Sequence, residues 1–499
     1  MSGSYQQIMR SSSIMGAAQA VNYLVALVRV KIVAVLLGPS GVGLVALYAS
    51  ATGMVGAFTN LGIHGSGVRE VSAAYSREDP AAAARSVLIL RRVSWFTGIL
   101  GWLVALALAV PLSRWIAGSA IHASAIALLG CTLLIGAISG GQLALLQGLR
   151  RIGDIARASV LGVLVNTLVA VGLYAWLGQD GIVPVLICSA LVTLTLSYWF
   201  ARRVRVPVVE LTWRDTITGA SSLLRIGAAF MWSAVLVAGM DLFVRSLISR
   251  HFGLEASGIY QAAWALSGLF AAFILQAMGA DYYPRLTSMI DDRVRAIETV
   301  NHQTEIGVLL ALPGLLATLA FAPWVIGLFY SRDFSPASGL LPWMVLGVFG
   351  RIVSWPLGYI QLALGNARWF ALTEAVFFAI QAGLQFWLVP RFGVFGAGYA
   401  FALTYLLYVI GMLWVGRRLL GFGWSSDVVK LIVASSLLVV AGFSSSRLLT
   451  PSWRLGVGTT VCLIGTLLSL RGLVRRLGPD HGLSRLVAHI PGGRLLFHK

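Results

Sequence analysis

The chain predicts an all-α, polytopic integral membrane protein of about fourteen transmembrane helices, and three observations carry that expectation. Apolar segments long enough for the roughly 20 residues of a bilayer crossing recur along its length. Hydrophobic residues make up 58% and charged residues 11%, with a mean hydropathy of +0.85; a soluble domain carries about 25% charged residues. The connections alternate between short turns and longer charged stretches.

Span one, near 14–37, ends at Gly38 and Pro39. The residues before it, Met1 to Ser13, lack the basic start, short apolar core and small-residue cleavage site of a removable signal, so the first span is expected to direct insertion. Span two, near 42–63, is followed by the charged stretch Arg69 to Arg92. Spans three and four, near 93–110 and 121–146, close on Gly148, Leu149, Arg150 and Arg151. Spans five and six, near 158–177 and 181–200, meet at Gly178 to Gly181 and lead into the charged Arg202 to Asp215. Spans seven and eight, near 223–248 and 257–279, flank a turn at Gly253 and precede Asp281 to Glu305. Spans nine and ten, near 306–330 and 338–363, end at Gly365 to Arg368. Spans eleven and twelve, near 369–389 and 394–415, meet at Pro390 to Gly393, and spans thirteen and fourteen lie near 429–446 and 456–470.

With the N-terminus inside, most of the 37 Lys and Arg fall on the cytoplasmic side, as the positive-inside rule demands. Both termini are then cytoplasmic. That asymmetry accounts for the net charge of +19 without a nucleic-acid partner. The outer connections leave no room for an external catalytic domain, so no enzyme is expected. Cys131, Cys188 and Cys462 all lie in apolar segments and read as small core residues. The histidines show no metal-ligand clustering, and no HExxH, P-loop or GxSxG pattern occurs. No cofactor or metal is expected.

An internal repeat appears at a shift of about 215 residues. Gly38 and Gly43 after span one match Gly253 and Gly258 after span seven. A second echo pairs Gly148 and Arg151 with Gly365 and Arg368. Six spans separate the copies, an even number, so both halves have the same orientation. The expected division is 1–215, 216–426, and a remainder 427–499 that carries spans thirteen and fourteen and a basic tail.

Charges within the spans point to function, because a charge deep in hydrocarbon is costly unless it faces water or a partner. Arg29 lies about 13 Å from the end of span one at 1.5 Å per residue, beyond easy snorkelling. Asn22, two turns earlier, shares its face, whereas Lys31 points elsewhere. Each cation of span one either lines a wet cavity or bonds a neighbouring helix. Arg245 falls within one residue of the repeat equivalent of Arg29, and Asp241 lies one turn before it. That pair is either structural glue or a protonation switch that frees Arg245. Arg351 has no acid in its own span, and Trp355, Pro356 and Tyr359 bring aromatic faces suited to sugar rings. Arg225, near the inner end of span seven, is an anchor or an entry contact. Glu374 either pairs with an arginine or titrates during transport. A cation-rich interior implies an anionic cargo.

The residues that carry a family resemblance are LLGPSGVGLVALY after span one, GSGVREVSAAYSRED after span two, FGLEASGIYQAAWAL after span seven and LGNAR after span ten. They resemble the polysaccharide-transporter branch of the multidrug/oligosaccharidyl-lipid/polysaccharide (MOP) exporter superfamily, and more narrowly the Wzx-type O-antigen flippases. The resemblance implies two parallel six-helix lobes in a V shape that alternate between inward- and outward-open states. It implies a cargo of undecaprenyl-diphosphate-linked oligosaccharide, moved from the cytoplasmic to the periplasmic leaflet of a bacterial inner membrane. Membrane lipids, a polysaccharide polymerase and a chain-length regulator are the partners it suggests. Spans thirteen and fourteen would line a groove for the lipid tail.

Three rival functions share parts of this pattern. A lipid II flippase shares the fold and the diphosphate. A cationic-drug exporter needs acids in its cavity, and the first six spans contain none. A membrane glycosyltransferase or polysaccharide polymerase needs a sizeable outer loop, which the short turns disfavour.

Overall fold

In a computed structural model of the chain, the described residues are 2–76, 79–204, 207 and 209–477. Among them the secondary structure is helical, with no strand. The helices in chain order are α1 (Ser2–Thr59), α2 (Ile63–Ser76), α3 (Pro80–Ala117), α4 (Ala123–Gly148), α5 (Ile152–Leu177), α6 (Ile182–Ala201) and α7 (Trp213–Met289). They continue as α8 (Arg293–Ala320), α9 (Ala322–Phe329), α10 (Ala337–Ala363), α11 (Ala367–Phe392), α12 (Val394–Leu420), α13 (Ser426–Leu448) and α14 (Pro451–Leu477).

Eleven helical runs among the described residues are long and apolar enough to cross a membrane. Three of them, Met15–Thr59, Ile152–Ala201 and Met231–Leu269, run for 45, 50 and 39 residues and have the length of two crossings each. Each of these runs is interrupted: by non-helical Gly38, by a 3-10 turn at Gly178–Gly181, and by non-helical Gly253. In lipid every backbone N–H and C=O must find a partner within the protein, and helices do this within one segment.

The charged stretches are more helical than the hydropathy pattern suggests. Helix α3 begins at Pro80, well before the apolar part, because Asp79 accepts hydrogen bonds from the backbone N–H of Ala81 and Ala82 at 2.9 and 3.0 Å, with proline at the first helical position. Thr212 and Asp215 form a reciprocal capping box at the start of α7, each side chain accepting from the other's backbone N–H at 3.2 Å. Asp292, Asn366 and Ser425 cap α8, α11 and α13, each side chain accepting from the backbone N–H three residues on.

The chain divides into two compact units. The first, residues 1–258 and 329–331, holds α1 to α6, most of α7 and a short return segment. Its core gathers Leu37, Leu47 and Tyr48 of α1, Ile116, Ile126 and Leu129 of α3 and α4, Ala170 and Tyr174 of α5, Ile182 of α6 and Leu242 of α7. The second, residues 259–328 and 332–499, contains the end of α7 and α8 to α14. Its core includes Tyr282, Leu286, Val300, Leu357, Ile360, Met412 and Phe422.

The repeat is a repeat of backbone conformation. Gly38 has φ 64° and ψ −176°, and Gly253 has φ 84° and ψ 175°. This region is open essentially to glycine alone. Close to them Gly43 and Gly258 face each other's turns within the first unit: a Cβ on Gly43 would meet the Leu254 carbonyl, and one on Gly258 the Pro39 carbonyl. The shift of 215 also relates Gly178 (φ 57°) to Gly393 (φ 63°).

The second sequence echo requires a correction of register. The positive-φ position in the first half is Arg150 (φ 53°), and its counterpart 215 residues on is Gly365 (φ 67°). The backbone N–H of Arg151 donates to the Leu146 carbonyl at 2.9 Å, and that of Asn366 to the Gln361 carbonyl at 3.0 Å. The matched letter is therefore not Gly148. Glycine fills the left-handed position in one half and arginine fills it in the other.

Candidate functional site

The first unit presents a polar stripe shared by α1 and α5. Asn22 donates from its amide to the Ser159 hydroxyl at 2.6 Å, and Gln179 donates to the Leu37 carbonyl at 3.5 Å. Those two bonds run the helices side by side and put Arg29 level with Asn166, two turns beyond Ser159. Arg29 is half-buried, and its charge acts on the hydroxyl of buried Tyr174. The carbonyl oxygens of Asn22 and Asn166 are buried without a hydrogen-bond partner among the described residues. Buried polar atoms of this kind call for water or a ligand.

Lys31, on another face of α1, donates from its ammonium to the backbone carbonyl of Tyr330. It is engaged with the short return segment 329–331 of the same unit. Arg245 is 5% exposed and meets the Asp241 carboxylate at 2.5 Å. It also donates to the Asp241 backbone carbonyl at 3.1 Å. Asp241 is 37% exposed, so the acid is the accessible member of the pair. The side chains of Arg225 and Asp281 lie outside the described residues.

The second unit carries the other patch. Arg351 of α10 is half-buried, and among the described residues no carboxylate lies within ion-pair distance of it. Its charge acts on Tyr405 and Tyr408 of α12, and the Glu374 carboxylate of α11 acts on Tyr408. Gly350 makes this approach possible, because a Cβ there would lie 3.0 Å from that of Tyr405. Phe377 packs on Tyr408 and Tyr405 with ring centroids 4.3 and 5.4 Å apart. The result is one guanidinium and one carboxylate set among three aromatic rings.

One turn along α10, Trp355 and Tyr359 pack at 4.5 Å and lean on Tyr282 and Tyr283. Tyr282 is buried and donates its hydroxyl to the Pro356 carbonyl at 2.9 Å. Trp355 and Tyr359 remain partly exposed. Gln361 accepts from the Thr373 hydroxyl at 3.0 Å, tying α10 to α11 behind these residues.

Sequence reasoning missed Ser159, Asn166, Tyr405 and Tyr408. Ser159 and Asn166 are spaced by seven, as are Asn22 and Arg29, which is a readable signal for two matching polar faces. Tyr405 and Tyr408 lie in an apolar segment rich in aromatic residues, where nothing in the pattern separates them from core.

A cavity of about 720 Å³ is an apolar groove of α5 and α6 lined by Leu168, Trp176, Leu191 and their neighbours, and none of these charges lines it.

Comparison with known proteins fits this anatomy. Residues 32–339 match the family described as polysaccharide biosynthesis protein. The Lipid III flippase of Escherichia coli (strain K12) is 24% identical over 387 residues, spanning 76% of this chain and 90% of the relative. Among solved structures, the lipid II flippase MurJ in an inward closed conformation superposes with a TM-score of 0.67 at 11% identity, covering 93% of this chain and 99% of that one. An inward-facing multidrug resistance MATE family transporter of the MOP superfamily gives 0.66 at 20% identity, covering 82% and 96%. Those two likenesses are of fold. The family match extends over more than half of the sequence, and the chain accordingly belongs to the polysaccharide biosynthesis protein family, a multi-pass membrane protein with the helical fold of MOP-superfamily transporters.

Proposed function

We propose that this protein is a flippase that carries an undecaprenyl-diphosphate-linked oligosaccharide, an O-antigen or related surface-polysaccharide repeat unit, from the cytoplasmic to the periplasmic leaflet by alternating access through a cationic central cavity. Such a cargo has an anionic head that hydrocarbon excludes and a tail that it welcomes. A guanidinium among aromatic rings suits the head, the charge holding phosphate and the rings stacking on sugar.

Arg351 carries the reading: it is a half-buried cation whose charge acts on Tyr405 and Tyr408, with no ion-paired carboxylate among the described residues. We assign diphosphate contact to Arg29, Arg245 and Arg351, with Asn22 as a polar neighbour, and sugar contact to Trp355 and Tyr359. Lys31 has a held position on the Tyr330 carbonyl and joins the cargo only if that bond opens. Asp241 and Glu374 are the proposed ion-coupling acids, and Arg225 meets the head as it enters. On this reading the protein sits in the inner membrane with both termini cytoplasmic. Its lobes are 1–215 and 216–426, and 427–499 is the added pair of helices with its tail. The name of the Lipid III flippase relative supports a lipid-linked cargo.

The test is replacement of Arg351. Arg351→Ala should abolish surface-polysaccharide export while the protein still inserts and accumulates, and Arg351→Lys should restore part of it. Full export by the alanine variant removes Arg351 from the cargo site. Rescue of cells that lack lipid II flipping would instead assign the cell-wall cargo.

A further inference from the structure

The turn between α13 and α14 holds a second basic site that the transport reading does not use. Arg447 stands in the last turn of α13, where its charge complements the helix dipole. Its guanidinium lies 5.8 Å from the ring centroid of Trp343 on α10 and 5.7 Å from that of Phe395 on α12. Gly339 gives it room, since a Cβ there would sit 3.5 Å from Arg447 Nη1. Trp343 is in turn wedged against Tyr399 at 4.5 Å and Phe443 at 4.6 Å. Arg447 is therefore a positioned cation.

Arg454 stands in the first turn of α14, where the dipole disfavours a cation and where no acidic residue is present. Only Leu449 and Thr450 separate α13 from α14, so Arg454 and Arg447 stand at the same end of the two helices, where their like charges repel. The Nε of Arg454 is buried with no hydrogen-bond partner among the described residues, and neither arginine makes an ion pair among them. Two arginines and a helix N-terminus thus share one turn, with no ion-paired carboxylate among the described residues. Beside them in the chain Leu448 and Trp453 are 81% and 69% exposed, and Phe392, which packs on Tyr399, is 50% exposed, an apolar rim of the kind that lies in acyl chains.

We propose that Arg447 and Arg454 form a binding site for the phosphate of an anionic lipid headgroup, at the membrane boundary away from the Arg351 patch. Along α10, Trp343 and Arg351 are eight residues apart, about 12 Å at 1.5 Å per residue. The apolar rim commits the site to a lipid rather than to free phosphate. On the positive-inside assignment this turn faces the outer leaflet, where cations are scarce. Such a site serves the protein whatever cargo it transports.

The experiment uses the full-length protein in detergent and measures binding by native mass spectrometry, with phosphatidylglycerol, phosphatidylethanolamine and inorganic phosphate as separate probes. Phosphatidylglycerol should bind saturably and at least tenfold more tightly than either other probe. Arg454→Gln and Arg447→Gln should each weaken it about tenfold, and Arg454→Lys should recover most of the loss. Arg391→Gln should leave it unchanged, because that exposed arginine already donates to the Trp387 carbonyl at 2.8 Å. A second reading guards against misfolding: in lipid-free detergent Arg454→Gln should melt above wild type, since it relieves repulsion. Unchanged phosphatidylglycerol binding in the Arg447→Gln/Arg454→Gln double variant overturns the site. Equal binding of inorganic phosphate overturns its assignment to lipid, and equal binding of phosphatidylethanolamine overturns recognition of net negative charge.

Discussion

Replacing Gly258 by alanine tests the closest approach in the first unit. A Cβ on Gly258 would lie 2.6 Å from the carbonyl carbon of Pro39 and 3.0 Å from its Cα, with the oxygen nearer still. Ordinary contact between such carbon atoms is about 3.5–4.0 Å, so the turn at Pro39 must retreat by roughly 1 Å. Backbone cannot rotate away as a side chain can. A radial gap of that size forfeits up to about half of each atomic contact, and overpacking in a dense core costs about 1–3 kcal/mol. The neighbouring core contains Leu37, Leu47, Leu242 and Leu254, which lose contact with one another as the turn moves.

Thermal unfolding in detergent, compared across Gly258→Ala, Gly43→Ala, their double variant and Gly53→Ala, reads the effect. Gly53 has open space around a built Cβ and lies in the same helix as Gly43, so its alanine variant should be neutral or gain up to about 1 kcal/mol of stability. The double variant should cost less than the sum of the singles, by about 0.5 kcal/mol or more, because the first alanine has already parted the turns. If Gly258→Ala matches Gly53→Ala in stability, the close approach does not constrain the fold and the reasoning fails.

Three further outcomes follow from the same geometry. Asp241→Asn should destabilise the protein by about 1–3 kcal/mol, less than a fully buried pair because Asp241 is partly exposed. It should also flatten the pH dependence of transport in proteoliposomes, and an unchanged pH profile would leave the pair a purely structural one. Arg150→Gly should stabilise by about 0.5–1 kcal/mol, since it removes a left-handed penalty of about 1–2 kcal/mol at the cost of a looser unfolded chain; lower melting in the glycine variant contradicts this. His122, in the turn before α4, accepts or donates at 2.8 Å with Tyr48, and its burial lowers its pKa below the ordinary imidazole value. The unfolded chain then binds the proton more readily, so His122 contributes stability above about pH 6.5 that is lost as pH falls. His122→Asn should reduce the loss of melting temperature between pH 7 and pH 5, and an identical slope in both proteins removes His122 as its source.

Much of the architecture was legible in the residues because hydrocarbon imposes a blunt rule. Every crossing must be long, apolar and internally hydrogen-bonded, and breaks must fall where glycine or a cap can take them. Gly38 and Gly253 declared the repeat because their backbone angles exclude other residues. The paired polar positions of Asn22 and Arg29 were visible for the same reason, as exceptions in an apolar helix.

The sequence alone determined the helical membrane class, the breaks and the residues whose charge must be explained. Tertiary structure decided which partner explains each charge. Lys31 meets a carbonyl 299 positions away, the charge of Arg351 acts on tyrosines of α12, and Arg447 meets rings from α10 and α12. Helices that are apolar all round carry little periodic signal for which face turns inward. Their neighbours are chosen by close packing of small residues, and that choice exists only in three dimensions.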